Sequence, residues 1–130
     1  MPFVTLYLRK GCDDAAVEKS MREISAAGAE TMENTLLRMV RVSVYDIPGN
    51  HIYEGGKPVE DGDLAPTVFF DIGPGRSEEA KQSFMDQIAE ILHRNLGVEK
   101  SRVRAYVEDN EHPENFCIDG KLKDFSKKVT

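Results

Sequence analysis

PFVTLYLRKGCDDAAVEKSMREI at residues 2–24 and PTVFFDIGPGRSEEAKQSFMDQI at residues 66–88 align without a gap. Pro2 falls on Pro66, Val4 on Val68, Gly11 on Gly75, Ala16 on Ala80, Met21 on Met85 and Ile24 on Ile88. Further on, VRVSV at 40–44 lies over VRAYV at 103–107 with a one-residue slip. The identities are few, but they keep their order within one local pattern, and duplication explains them.

Each copy reads strand, helix, strand. PFVTLYL and PTVFFDI are short runs rich in β-branched and aromatic residues, closed by RKG and GPG turn signals. Asp13 and Ser77 are the expected helix N-caps, with acids in the first turn behind them. Val17, Met21, Ile24 and Gly28 share one face of the first helix. Phe84, Ile88, Ile91, Leu92 and Leu96 do so on the second, and both sets read as core. MVRVSVY and RVRAYVE then alternate apolar with polar as half-buried strands do. A helix between two strands implies a parallel pair with a right-handed crossover.

The expected fold is therefore α+β, a tandem β-α-β repeat at about 2–60 and 66–122 within a single domain spanning 1–130. Its four strands form one sheet with both helices on one face. A pseudo-dyad between the repeats brings their first strands together antiparallel at the centre, with Pro2 near 73–76 and Pro66 near 9–12. The sheet's other face and its edges need covering, which predicts an oligomer. The linker DIPGNHIYEGGKPVEDGDLA at 46–65 and the matching NEHPENFCIDGKLKDF at 110–125 are expected to form small hairpins reaching neighbouring subunits. Pro48-Gly49 has the residues of a type II turn.

Net charge is −6 with the two signs interleaved, which argues against the basic stripe of a nucleic-acid binder. No apolar run approaches the roughly 18 residues of a membrane span, and the N-terminus lacks the parts of a signal peptide. Neither nucleic acid nor membrane is expected as a partner. Cys12 and Cys117 have no metal-ligand spacing and read as free thiols in a reducing cytoplasm. The tail KLKDFSKKVT reads as a solvated end. Pro2 follows Met1 directly, and a small second residue permits removal of the initiator. That would expose Pro2 as a free, ring-locked secondary amine, although proline is also structurally at home at a first strand position.

These features resemble the tautomerase superfamily, in particular its fused, double-length members. The likeness rests on proline after the initiator, the duplicated β-α-β unit, GRSEE at 75–79, VRV at 40–42 and GNHIYEGG at 49–56. The single-length 4-oxalocrotonate tautomerase carries a G-R-S turn, a V-R-V strand and a G-H-F-x-x-G-G hairpin in the same order. EDNEHPENF at 108–116 is similar to the ending of 5-carboxymethyl-2-hydroxymuconate isomerase. The resemblance implies a homotrimer, a catalytic N-terminal proline acting as general base, and no metal or cofactor.

The chemistry follows from those residue types. A free α-amino group titrates at roughly 7.7–8.0, and burial beside arginines lowers that value, so Pro2 is expected to serve as a base near neutral pH. A guanidinium binds carboxylate through two parallel hydrogen bonds and stabilises a developing enolate. Arg76 is the candidate for one carboxylate. Arg41 and Arg104 share the strand position that the single-length family uses from a neighbouring subunit, and Phe116 is the candidate pocket wall. Pro66 has a tertiary amide nitrogen and Cys12 stands in Arg76's place, so the second repeat's copy of the site has lost both amine and arginine. His51, His112 and the two cysteines are read as non-catalytic.

The expected function is an isomerase of the 4-oxalocrotonate tautomerase type, interconverting enol and keto forms of a small 2-oxo or 2-hydroxydienoate acid. The alternatives are a decarboxylase or hydratase/dehalogenase with a protonated Pro2 as acid, and a non-catalytic trimeric binding protein if Met1 blocks Pro2. Gly73 stands where family dehalogenases place a second arginine, and Arg38-Met39 where decarboxylase-like members place an aspartate. Both departures favour tautomerisation, which needs only a base and an electrostatic clamp.

Overall fold

The computed structural model describes residues 2–123. Met1, and with it the question of initiator removal, lies outside the described residues, as does most of the basic tail. β1 (Phe3–Arg9), α1 (Asp14–Thr31) and β2 (Arg41–Ile47) form the first unit. β3 (Tyr53–Glu54) and β4 (Lys57–Pro58) follow as a hairpin. β5 (Thr67–Ile72), α2 (Glu78–Leu96) and β6 (Arg104–Asp109) form the second unit, followed by the hairpin β7 (Phe116–Ile118) and β8 (Lys121–Lys123).

The main sheet has the order β2-β1-β5-β6. Its outer pairs are parallel and its central pair is antiparallel, with Thr5 opposite Phe69 and Phe3 opposite Asp71. That register places the pseudo-dyad near Thr5 and sets Pro2 at the β5 end that runs into 73–76. The repeats also share a bond: Pro2 O accepts from Arg41 N at 3.0 Å, and Pro66 O from Arg104 N at 3.1 Å.

Alternation along the strands divides the side chains between two faces. Val4, Leu6 and Leu8 of β1 and Val68, Phe70 and Ile72 of β5 are buried and join Ile24, Phe84, Ile88 and Leu92 in one core. Both helices thus cover one face, as the sequence predicts, and Phe70 meets Phe84 edge-on at 5.2 Å. α1 packs closely at Gly28, where a Cβ would lie in ordinary contact, 3.4 Å from Phe84 Cζ and from Val40 Cγ2. Asp13 and Ser77 cap the helices by accepting from Ala16 N at 3.0 Å and Ala80 N at 3.1 Å. Gly11 and Gly75, repeat partners, take the left-handed turn from strand to helix at φ +115 and +97.

The other face is aromatic. Tyr7 stacks on Tyr45 at 5.2 Å, meets Phe69 edge-on at 5.9 Å, and Phe69 leans on Tyr106. Tyr45, Phe69 and Tyr106 remain 56%, 43% and 63% exposed in the single chain.

Both expected hairpins form. The type II turn at Pro48-Gly49 does not: Gly49 lacks the positive φ that turn requires and opens a 3-10 turn instead. What the position accommodates is the Arg9 side chain, whose Nε would sit 2.7 Å from a Cβ at residue 49. Among the described residues no helix is long and apolar enough to cross a membrane.

Candidate active site

Four of the predicted site residues gather at one end of the sheet. Pro2 is fully buried there, so its ring is fixed between the core and the start of β1. Phe116 stacks on Phe3 with centroids 5.6 Å apart, and the Arg41 guanidinium lies 6.0 Å over the same ring. Arg76 enters from the turn after β5. Phe3 was not foreseen as a site residue, although alternation from a buried Pro2 puts it on the open face of β1.

Arg76 is half-buried and tied down on three sides. Its Nε donates to Glu33 O at 3.1 Å, Nη2 to Thr35 Oγ1 at 3.0 Å and Nη1 to Gly73 O at 3.2 Å. Burial pushes its pKa down, while Glu33 and Asp109 oppose the shift; a guanidinium starts high enough to stay charged. Of its five N–H groups the three bonds leave one on each terminal nitrogen. That pair matches a carboxylate's two oxygens. The Glu33 carboxylate meanwhile accepts from Ser77 N at 2.8 Å and Ser77 Oγ at 2.7 Å, joining the 33–35 loop to the start of α2.

A concavity of about 520 Å3 borders Phe3 at the same end, lined by Asp71, Glu108, Asp109 and Glu111. Those acids disfavour an anion, so a carboxylate belongs on the arginine side. His112 sits on this rim and pairs with Glu114 at 3.2 Å.

Arg104 stands at the opposite end, beside Pro66, with Nη1 on Ser101 O at 2.8 Å. Six residues of strand separate the ends, about 20 Å. Here the cations are held by their own chain. Arg9 donates to Glu60 O at 2.7 Å, and Arg102 binds both Glu54 oxygens at 2.9 and 2.7 Å and Asp63 at 2.8 Å. Cys12, in Arg76's place, turns its thiol to Arg9 O at 3.6 Å. Burial, with Asp46 adding, raises its pKa and makes it a poorer nucleophile. A cavity of about 540 Å3 at this end is lined by loop acids and by Val59, Leu64 and Val98. At this end the Pro66 nitrogen is a tertiary amide and no base, and Cys12 replaces the arginine of the strand-to-helix turn.

The chain matches no protein-family model. It is 38% identical over 58 residues to the 2-hydroxymuconate tautomerase of Pseudomonas sp. (strain CF600), a stretch that is 45% of this chain and 90% of that protein. The fold is shared with the fused 4-OT designated R7, an asymmetric trimer, at a TM-score of 0.80 and 22% identity over 92% of this chain and 94% of that one. It is shared too with N1, of the cis-3-chloroacrylic acid dehalogenase family, at a TM-score of 0.78 and 20% identity over 92% and 82%. With this duplicated β-α-β architecture and that similarity, the chain belongs to the tautomerase superfamily as a fused 4-OT-like member.

Proposed function

We propose that the protein is a cofactor-independent isomerase that interconverts the enol and keto forms of a small 2-oxo or 2-hydroxydienoate acid. Once Met1 is removed, the Pro2 nitrogen takes the proton from the enol hydroxyl and returns it to carbon. Arg76 anchors one carboxylate through its two remaining terminal N–H groups, and the charge of Arg41 stabilises the dienolate. Phe116 and Phe3 wall the site. Arg104 lies too far along the strand to act on Pro2 of its own chain, so it serves a neighbouring chain's site in a homotrimer. The chain is one domain of two repeats and is assigned to the cytoplasm.

The observation that carries this reading is the bonding of Arg76, which secures the guanidinium while leaving a carboxylate-matched pair at the Pro2 end. The similarity to 2-hydroxymuconate tautomerase supports the substrate class. The dehalogenase reading is disfavoured at Gly73, where a Cβ would lie 3.1 Å from Arg76 Nη1 and where no second cation is present.

The test is the ultraviolet rate of 2-hydroxymuconate ketonisation by protein shown by mass to lack Met1. Turnover far above buffer, reduced about 100-fold or more in kcat/KM by Arg76→Ala, is expected. A rate equal to buffer removes this substrate class, and turnover indifferent to Arg76→Ala removes the clamp.

A further inference from the structure

Thr35 is buried, yet it lies in a loop whose neighbours Glu33 and Leu36 are exposed. Nothing in the sequence's periodicity asks for a hydroxyl there, and its burial needs a polar partner. Its two hydrogen bonds supply one and give it a direction. The Oγ1 proton goes to Glu33 O at 3.2 Å, which leaves the oxygen as acceptor for Arg76 Nη2 at 3.0 Å. Glu33 O itself accepts from Arg76 Nε at 3.1 Å. The two oxygens therefore occupy the Nε–Nη2 edge of the guanidinium together.

We propose that Thr35 is a positioning residue: with the Glu33 carbonyl it fills the Nε–Nη2 edge of Arg76 and so obliges a substrate carboxylate to bind end-on, across Nη1 and Nη2. This deepens the proposed function and rests on Arg76 as the carboxylate anchor. An arginine free at all edges receives a carboxylate in more than one orientation. One held by its Nε edge fixes where the bound acid's carbon chain points, and hence which carbon faces the Pro2 nitrogen. The Glu33 carboxylate, bonded to both Ser77 donors, keeps the loop from lifting off the 76–77 turn. The Pro66 end needs no such device, because Cys12 occupies the position of Arg76 there.

The test uses Met1-free protein with Thr35→Val, Thr35→Ser, Arg76→Ala and the double variant Thr35→Val/Arg76→Ala. Two readouts are taken: KM and kcat for 2-hydroxymuconate, and the calorimetric Kd of muconate, which lacks the enol hydroxyl. Loss of a charge-assisted hydrogen bond predicts that Thr35→Val raises KM and Kd about tenfold while the pH–rate profile keeps its position. Thr35→Ser restores both to within about twofold, and Thr35→Val has no further effect once Arg76 is alanine. Thr35→Ala repeats the measurement if the valine variant does not fold. Muconate binding that depends on Thr35 in a protein without turnover would sink the proposed reaction and leave this inference standing. The inference is overturned if Thr35→Val leaves Kd and KM within about twofold, if its effect persists without Arg76, or if the wild type binds no muconate.

Discussion

Glu33 works at two places at once, its carbonyl on Arg76 and its carboxylate on Ser77. The Ser77 N–H, then its hydroxyl, and to a smaller degree the charge of Arg76 hold the Glu33 carboxyl below the usual glutamate range. A depressed folded pKa makes the contribution full above the unfolded value, about 4.3, and removes it as pH falls through the folded one. Glu33→Gln keeps an acceptor but cannot titrate. The melting temperature of wild type should exceed that of Glu33→Gln above about pH 5, with the gap closing as pH falls below the ordinary glutamate range. Scanning calorimetry across that range checks it, and a gap independent of pH contradicts the account. At this scale the sequence singles out Pro2 and Arg76 as candidates because proline after methionine and G-R-S are local patterns. It does not single out Thr35 and Glu33, because their value lies in a tertiary contact more than 40 positions away.

The elements divide in the same way. The strands and helices follow from periodicity and caps, and Asp13 and Ser77 cap as their positions foretell. The hairpins are also local: Gly55 and Gly56 at φ +62 and +79, and Asp119 and Gly120 at φ +55 and +71, form two-residue turns with positive φ throughout. That conformation suits the right-handed twist of paired strands and selects such residues. Pro48-Gly49 misled for the opposite reason. Pro48 does adopt the extended values a type II turn wants, at φ −52 and ψ 137. Gly49 is then governed by the Arg9 side chain crossing from β1, a contact invisible in the dipeptide.

For the molecule as a whole, duplication set the sheet order and the antiparallel centre. It also separated Arg41 from Arg104 by the length of a strand. The exposed aromatic face at Tyr7, Tyr45, Phe69 and Tyr106 calls for a partner, and a homotrimer buries it if the sheets face one another. Phe69 lies in the central strand pair, so Phe69→Lys would place a charge in that contact. Sedimentation equilibrium should find three chains in the wild type and fewer in the variant; a wild-type monomer would contradict the assembly.

The central claim is that the Pro2 nitrogen is the working base. An ynone acid such as 2-oxo-3-pentynoate offers a carboxylate to the arginines and an electrophilic carbon to a nearby amine. Incubating Met1-free protein with it and mapping the adduct by peptide mass spectrometry tests the claim most directly. The account predicts one label per chain on Pro2, activity lost in step with labelling, and labelling slowed by Arg76→Ala. Label on Cys117 or lysines with Pro2 unmodified, or activity that survives full modification of Pro2, would contradict it.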